Sequence, residues 1–221
     1  MPDGQYSFYL HSDDRTDIAA MATISTISQP LRGEFIRTAA TAGAVVYQVD
    51  ARLPALIPVF FAGQLSAVRL CAVMALVSGT WSSLTGLPDE PENGGAALPV
   101  SPETEYQRRR YTLTLQNGRS GERVESVLTE ASSRGDLLRN LIITGLALHT
   151  TAPELPRLLA SMPVPPTSVS ELQALVQQMA GTADVNRAAA AVPDTPAASA
   201  APVSGSDTRE IKKNMRRAFG D

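Results

Sequence analysis

A chain of 221 residues with 43% hydrophobic content can bury one larger core or two small ones. Its single cysteine, Cys71, excludes an intramolecular disulfide, and no charged segment leading into an apolar run and cleavage site opens the chain, so a reducing cytoplasm is expected. The net charge of −3 excludes nucleic-acid binding by a whole-molecule field and leaves that role to local patches. Lys and Arg number 5 against 9 acids in residues 1–100, 8 against 8 in 101–181 and 6 against 5 in 182–221. The densest basic clusters are Arg108, Arg109, Arg110 and Lys212, Lys213, Arg216, Arg217.

In chain order, the first predicted element is a strand over Tyr6-Ser-Phe-Tyr-Leu-His11, whose alternation suits a sheet with one buried face. Asp13, Asp14 and Asp17 then precede or enter a helix carrying Ile18, Met21 and Ile24, with acids where a helix N-terminus favours them. Three acids so close could also hold a metal, but capping is the expected role. A second helix starts near Arg32 and runs through Ile36, Ala39, Ala40 and Gly43. Glycine in mid-helix costs about 1 kcal/mol, so close helix packing is the expected reason for Gly43. The apolar stretch from Leu53 to Val77 is long enough to span a membrane, yet Pro54, Pro58, Gln64 and Arg69 interrupt it, and a buried interface helix is expected instead.

The plan then repeats. After a linker over 81–107 rich in Pro, Gly and acids, Tyr111-Thr-Leu-Thr-Leu-Gln116 answers the first strand 105 positions on. Val124, Val127, Leu128 and Ala131 form one face of a helix. Ser133-Arg-Gly-Asp-Leu-Leu-Arg139 answers Leu31-Arg-Gly-Glu-Phe-Ile-Arg37 at an offset of 102, which then holds. Thr41-Ala-Gly-Ala-Val-Val-Tyr47 matches Ile143-Thr-Gly-Leu-Ala-Leu-His149, and Leu53-Pro54 matches Leu155-Pro156. Gly145 therefore repeats the mid-helix position of Gly43. A further amphipathic helix follows from Ser168 through Val169, Leu172, Leu175, Val176 and Met179.

A strand and two helices cannot bury themselves, because a two-stranded ribbon without a packed face is marginal in water. The expected fold is mostly α with a short antiparallel β-ribbon: two ribbon-helix-helix units in tandem, 1–80 and 108–181, forming a pseudo-dimer, each followed by extra helices. One strand from each unit would build the ribbon. Its outer face, Gln5, Ser7, Tyr9 and His11 with Arg110, Thr112, Thr114 and Gln116, carries residue types that read base edges in a major groove, while Tyr111, Leu113 and Leu115 face the helices. An ordinary solvated strand face is the competing reading. Arg108 and Arg109 at the strand entrance suit phosphate contacts, or form the end of a polar linker. Arg32 and Gly33, and Ser133, Arg134 and Gly135, open the second helices, where free N–H groups and the helix dipole can seat a phosphate or glycine can simply begin the helix.

No phosphate-binding loop, dinucleotide fingerprint or metal-ligand spacing is present, so no enzyme activity, cofactor or metal is expected. His11 and His149 read as a strand-surface and a helix-end residue, Cys71 as core, and Trp81 as packing where copy one ends. Residues 182–206, rich in Ala, Pro and Ser, read as a flexible linker, and 207–221 as a short helix capped by Ser206 or Asp207. Ile211, Met215 and Phe219 share one side of that helix, and Lys212, Lys213 and Arg216 spread over the others. Such a basic amphipathic helix suits a protein groove, nonspecific DNA or a membrane surface.

The run Arg108-Arg-Arg-Tyr-Thr-Leu-Thr-Leu115, with Thr144-Gly-Leu-Ala-Leu-His149, Leu155-Pro156 and the helix of Ser168–Met179, resembles the ParR/StbB family of plasmid partition proteins. Copy one resembles it through Thr41–Tyr47 and Asp50-Ala-Arg-Leu-Pro54, without the basic lead-in to its strand, and the tail from Ser206 to Met215 resembles the family's C-terminal end. The resemblance implies a bacterial, plasmid-associated adaptor that binds centromere repeats in double-stranded DNA, self-associates on them and engages an actin-like ParM filament through Ile211, Lys212, Lys213, Met215, Arg216 and Phe219, with autorepression as a further role. The fusion of two copies departs from the family's single-copy chains. A repressor or antitoxin of the same architecture without a filament partner is the alternative, and the tail distinguishes the two.

Overall fold

Alternating residues at the head of each repeat produce strands, and the periodic apolar stripes that follow produce helices. In the computed structural model, which describes residues 4–80, 108–116 and 118–190, with side chains through Gly181, this happens twice in the same order. Copy one comprises β1 (Gln5–His11), α1 (Arg15–Ser25), α2 (Arg32–Val49), α3 (Leu53–Phe60) and α4 (Ala67–Ser78). Copy two comprises β2 (Arg108–Thr114), α5 (Arg119–Thr129), α6 (Arg134–Thr151), α7 (Leu155–Ser161) and α8 (Val169–Ala190). A short 3-10 turn over Gln29–Leu31 precedes α2 and accompanies the longer α1–α2 connection of copy one. By internal contacts the chain divides into Met1–Val185 and Asn186–Asp221; of the second unit only residues 186–190 are described, as the end of α8.

The chain supplies both strands of its own ribbon. β1 and β2 pair antiparallel, with Gln5 opposite Thr114, Ser7 opposite Thr112, Tyr9 opposite Arg110 and His11 opposite Arg108. The ladder continues one bond further, from Leu115 N–H to the Gly4 carbonyl at 2.9 Å. The arginines expected as a lead-in to the second strand are thus part of the strand. Phe8, Leu10, Leu113 and Leu115 point into the core beneath the ribbon, and the Phe8 and Tyr111 rings stack there at 5.3 Å.

The two copies share one core, centred where α2 meets α6. Here the mid-helix glycines find their reason. A Cβ on Gly43 would lie 2.1 Å from the Leu141 carbonyl oxygen, and one on Gly145 would lie 2.2 Å from that of Ala39. The two contacts are related by the same 102-residue offset that relates the sequences, so the crossing is a pseudo-twofold one. A side chain at either position would force the backbones apart, which outweighs the helix-propensity cost of glycine.

Two expectations are corrected. The apolar stretch from Leu53 to Val77 is not one interface helix but two, α3 and α4, parted at Phe61–Ser66. Phe61 is extended, and Ser66 caps α4 by accepting from the Arg69 N–H. No helix among the described residues is long and apolar enough to cross a membrane. The second correction concerns the linker expected from Thr182, because α8 continues through Ala190. The run Thr182-Ala-Asp-Val-Asn-Arg-Ala-Ala-Ala190 contains no proline and is rich in the best helix former, whereas Pro193 lies beyond it. Trp81, the linker over 81–107 and the tail over 207–221 lie outside the described residues.

Candidate nucleic-acid interface

The strand register decides which side chains share the ribbon's outer face. Gln5, Ser7, Tyr9 and His11 stand opposite Thr114, Thr112, Arg110 and Arg108, so the outward sets of the two strands meet residue for residue. The polar members of β2 are all exposed. The face is knitted across the strands: the Arg110 guanidinium donates to the Ser7 hydroxyl from Nε at 3.2 Å and from Nη2 at 2.9 Å, and Arg108 lies over the Tyr9 ring at 4.6 Å. Gln116 continues the same parity just past β2 and is exposed. Arg109 falls on the other parity, opposite Leu10, and its guanidinium stands 5.4 Å from the Tyr111 ring. It is exposed, on the parity of the inward residues rather than of the outer face.

The N-termini of α2 and α6 flank the ribbon from opposite sides. Gly135 lies 3.8 Å from the Ser7 carbonyl, measured from where its Cβ would stand, and Arg32 is close enough to the Tyr111 hydroxyl to act on it electrostatically. Burial of Tyr111 outweighs the two arginines and holds its hydroxyl above its ordinary pKa. Arg32 is nevertheless occupied: its Nε donates to the Ile27 carbonyl at 2.8 Å and its Nη2 to that of Ser25 at 3.4 Å, so it caps the end of α1. The corresponding Arg134 is exposed and pairs with no carboxylate among the described residues. Ser133 donates its hydroxyl to Asp136 at 2.5 Å, which places a carboxylate at the start of α6, as Glu34 does at the start of α2.

Sequence reasoning missed an ion pair that locks the copies together beside this interface. Asp14 caps α1 by accepting from Thr16 N–H at 2.8 Å and Asp17 N–H at 3.0 Å. Asp17 itself is fully buried, accepts from the His11 N–H at 2.8 Å and from Arg139 Nε at 2.6 Å, while Arg139 Nη2 also reaches Asp14 at 3.2 Å. Burial raises the Asp17 pKa above its ordinary value, against the opposing pull of those hydrogen bonds and of the Arg139 charge. Thus one copy's carboxylate anchors the other copy's second helix. Counted from the helix N-caps Asp14 and Gly118, Asp17 falls where copy two has Gly121, while Arg139 matches Arg37, so the pair has no counterpart on the other side.

The remaining candidates have ordinary roles. His149 Nδ1 lies 3.1 Å from the Pro153 carbonyl, and its ring meets Phe35 edge-on at 4.9 Å near the end of α6. Cys71 is partly buried on α4, and burial pushes its thiol pKa up. Ile211, Lys212, Lys213, Met215, Arg216 and Phe219 lie outside the described residues.

A model of the plasmid stability protein family matches twice, at residues 4–74 and 109–176, together more than half of the chain and once for each copy. Neither the curated proteins nor the solved structures gave a match.

Proposed function

Because this chain belongs to the plasmid stability protein family, as a tandem repeat, and so has a role in plasmid maintenance, we propose that it is a partition adaptor that binds centromere-like DNA repeats through its ribbon and couples them to an actin-like filament. One observation carries the DNA half of this reading. The outward residues of β1 and β2 form one continuous polar face, with Arg108, Arg110, Thr112 and Thr114 beside Gln5, Ser7, Tyr9 and His11. A major groove admits a two-stranded ribbon, and Arg, Gln and Thr pair with guanine, adenine and thymine edges. The start of α6, with Gly135 beside the strand backbone and Arg134 exposed, is suited to a phosphate along the groove wall. At the start of α2, Arg32 is engaged with α1 and serves through its charge.

This ribbon reads asymmetrically, since Arg110 with Thr112 is a richer set than Tyr9 with Ser7. The R110A/T112A variant therefore loses specific binding by about 1 to 3 kcal/mol per lost base contact at fixed salt while remaining folded. Unchanged affinity and sequence preference in a folded variant would remove the assignment.

Catalysis has no part in this reading; the filament supplies the movement. The coupling half rests on the tail sequence, with Ile211, Met215 and Phe219 as anchors in a hydrophobic groove and Lys212, Lys213 and Arg216 around them. Deleting 207–221 should leave specific DNA binding nearly intact and abolish capture by the filament in a co-sedimentation assay. Retained capture would assign the tail another role, and a repressor without a filament partner would then be the better reading. Self-association on DNA is supported by copy one's outer helices, where Val59 is 72% and Leu76 57% exposed, with Phe60 and Val68 also open to solvent. The matching positions of copy two are Ser161, Gln178, Met162 and Ser170.

A further inference from the structure

The two ends of the ribbon are built differently, and the difference falls on charge. At the end where β1 finishes and β2 begins, the ladder closes with His11 opposite Arg108. The cleft beside it, between the α1 entry and α6, is lined by Asp13, Asp14, Asp17 and Asp136 around Arg139. The acidic charges of that cleft are partly neutralised from within by Arg139, which pairs with Asp14 and Asp17. At the other end, where Gln5 stands opposite Thr114, β1 brings no arginine of its own.

That arginine-free end abuts the pseudo-equivalent cleft of copy two, and there the charge is reversed. A cleft of about 380 Å³ lies between α2, the N-terminus of α5 and the end of α7. It is lined by Arg37, Arg119 and Arg157, with Glu34 as its one carboxylate. Two acids of copy one are gone: counted from the helix N-caps, Gly118 stands where Asp14 does and Gly121 where Asp17 does, whereas Glu34 keeps the place of Asp136. Arg157 replaces the Ala55 of copy one. Arg37 pairs with Glu34 at 2.6 Å on the surface, while Arg119 and Arg157 are exposed and pair with no carboxylate among the described residues. α5 also lacks the side-chain cap that Asp14 gives α1, so its start, which lines the same cleft, has no side-chain acceptor on its first N–H groups, and Glu122 is the acid of its first turn.

We infer that this cleft is a phosphate-binding site, and that it seats a backbone phosphate of the bound DNA at the ribbon end that has no strand arginine. The inference rests on the DNA-binding reading for the source of the phosphate, and on the cleft alone for its chemistry. The guanidinium groups of Arg119 and Arg157, an uncapped helix start and the charge of Arg37 in its pair with Glu34 form a basic set for a phosphate dianion or diester. Symmetry explains the need. A symmetric ribbon would carry its arginines at both ends; with the first strand stripped of them, DNA would be clamped at one end only, and Arg37, Arg119 and Arg157 restore the second clamp.

The test uses the full chain with Arg119 and Arg157 replaced together. Each neutralised phosphate contributes about 0.9 to the slope of log K against log salt, so R119A/R157A, which removes the partners of one phosphate, should lower the slope for duplex DNA by about 0.9, while R119K/R157K keeps most of it. A folded R119A/R157A protein whose slope equals that of the wild type overturns the inference and leaves the ribbon reading standing. A second arm adds inorganic phosphate to the DNA-free protein and follows the amide resonances of Gly118, Ser120 and Gly121. Saturable shifts that disappear in R119A/R157A support the site. If the wild type binds no duplex at all, the ribbon reading fails, and the phosphate arm then decides: saturable shifts keep a site for a free phosphate ligand, and their absence overturns the site as well.

Discussion

Across the pseudo-twofold axis, the centre of the molecule and its periphery have followed different rules. At the centre, Gly43 against Leu141 and Gly145 against Ala39 are the same contact made twice. At the periphery, the Asp17–Arg139 pair of one side is answered on the other by Gly121 and an Arg37 turned to Glu34. Backbone approach at a helix crossing tolerates no independent change, because moving one helix moves both copies. A polar contact at the rim can be lost on one side and replaced there by other chemistry. Fusion of two copies in one chain permits this, since each half-site can vary without altering its partner; a homodimer would change both at once.

The largest expected effect comes from breaking what the two copies share. In the double variant G43V/G145V, side chains collide with carbonyl oxygens on both sides of the axis, and two overpacking terms of up to about 3 kcal/mol each approach the whole stability of a small domain. Urea denaturation should show a protein unfolded or nearly so without denaturant. A cooperative transition close to that of the wild type would mean that the helices do not cross this closely. Next in size is the ion pair present on one side only. R139M leaves the buried Asp17 carboxylate with the His11 N–H, at the end of β1, as its remaining hydrogen-bond donor, and breaking a buried pair in this way costs about 3 kcal/mol. The pH dependence has a definite sign. Asp17 in the fold already holds its proton above its ordinary pKa, and losing Arg139 raises it further. The native state then binds more protons than the unfolded state, so the deficit of R139M is full at neutral pH and shrinks as pH falls through the carboxylate range. A deficit that is flat with pH would show that Asp17 is not the group left stranded.

Much of this fold could be read from the residues, for reasons that differ by element. Period-two alternation over Tyr6–His11 and Tyr111–Gln116 set the inward and outward faces correctly, because burial of one ribbon face leaves no freedom of register. The mid-helix glycines announced the crossing, since only close packing recovers their cost. Local composition misled where it averaged over unlike residues: the Ala, Pro and Ser content after Gly181 hid an alanine-rich helical extension that ends before Pro193. The apolar run from Leu53 to Val77 concealed a break that depends on the extended Phe61 and the cap at Ser66. Of the candidate interface, the outer face was legible from alternation. The occupied state of Arg32 and the basic cleft of copy two were not, because the first depends on how the chain turns between α1 and α2 and the second joins residues far apart in sequence.

The smallest effect is the sharpest measure of the divergence between the two sides. Arg37 and Arg139 hold equivalent places in α2 and α6, yet Arg37 is bound to an exposed Glu34 three residues before it, while Arg139 reaches across to a buried carboxylate. Surface pairs of this kind contribute about 0.2 to 1 kcal/mol, because water screens them and two long side chains must be held still. R37M should therefore lower stability by less than about 1 kcal/mol, with little change in its deficit between pH 7 and the acid range, where R139M recovers. Measured side by side, the two variants separate an arginine that joins the copies from one held by a surface pair within its own helix. If R37M were as costly as R139M, the second side would have rebuilt an anchor of equal strength, and Arg37 would be a structural residue instead of a cleft residue in a weak surface pair. If both were mild, the buried Asp17 would be held by Asp14's cap and the His11 N–H without help from α6, and the asymmetry between the copies would be one of charge alone.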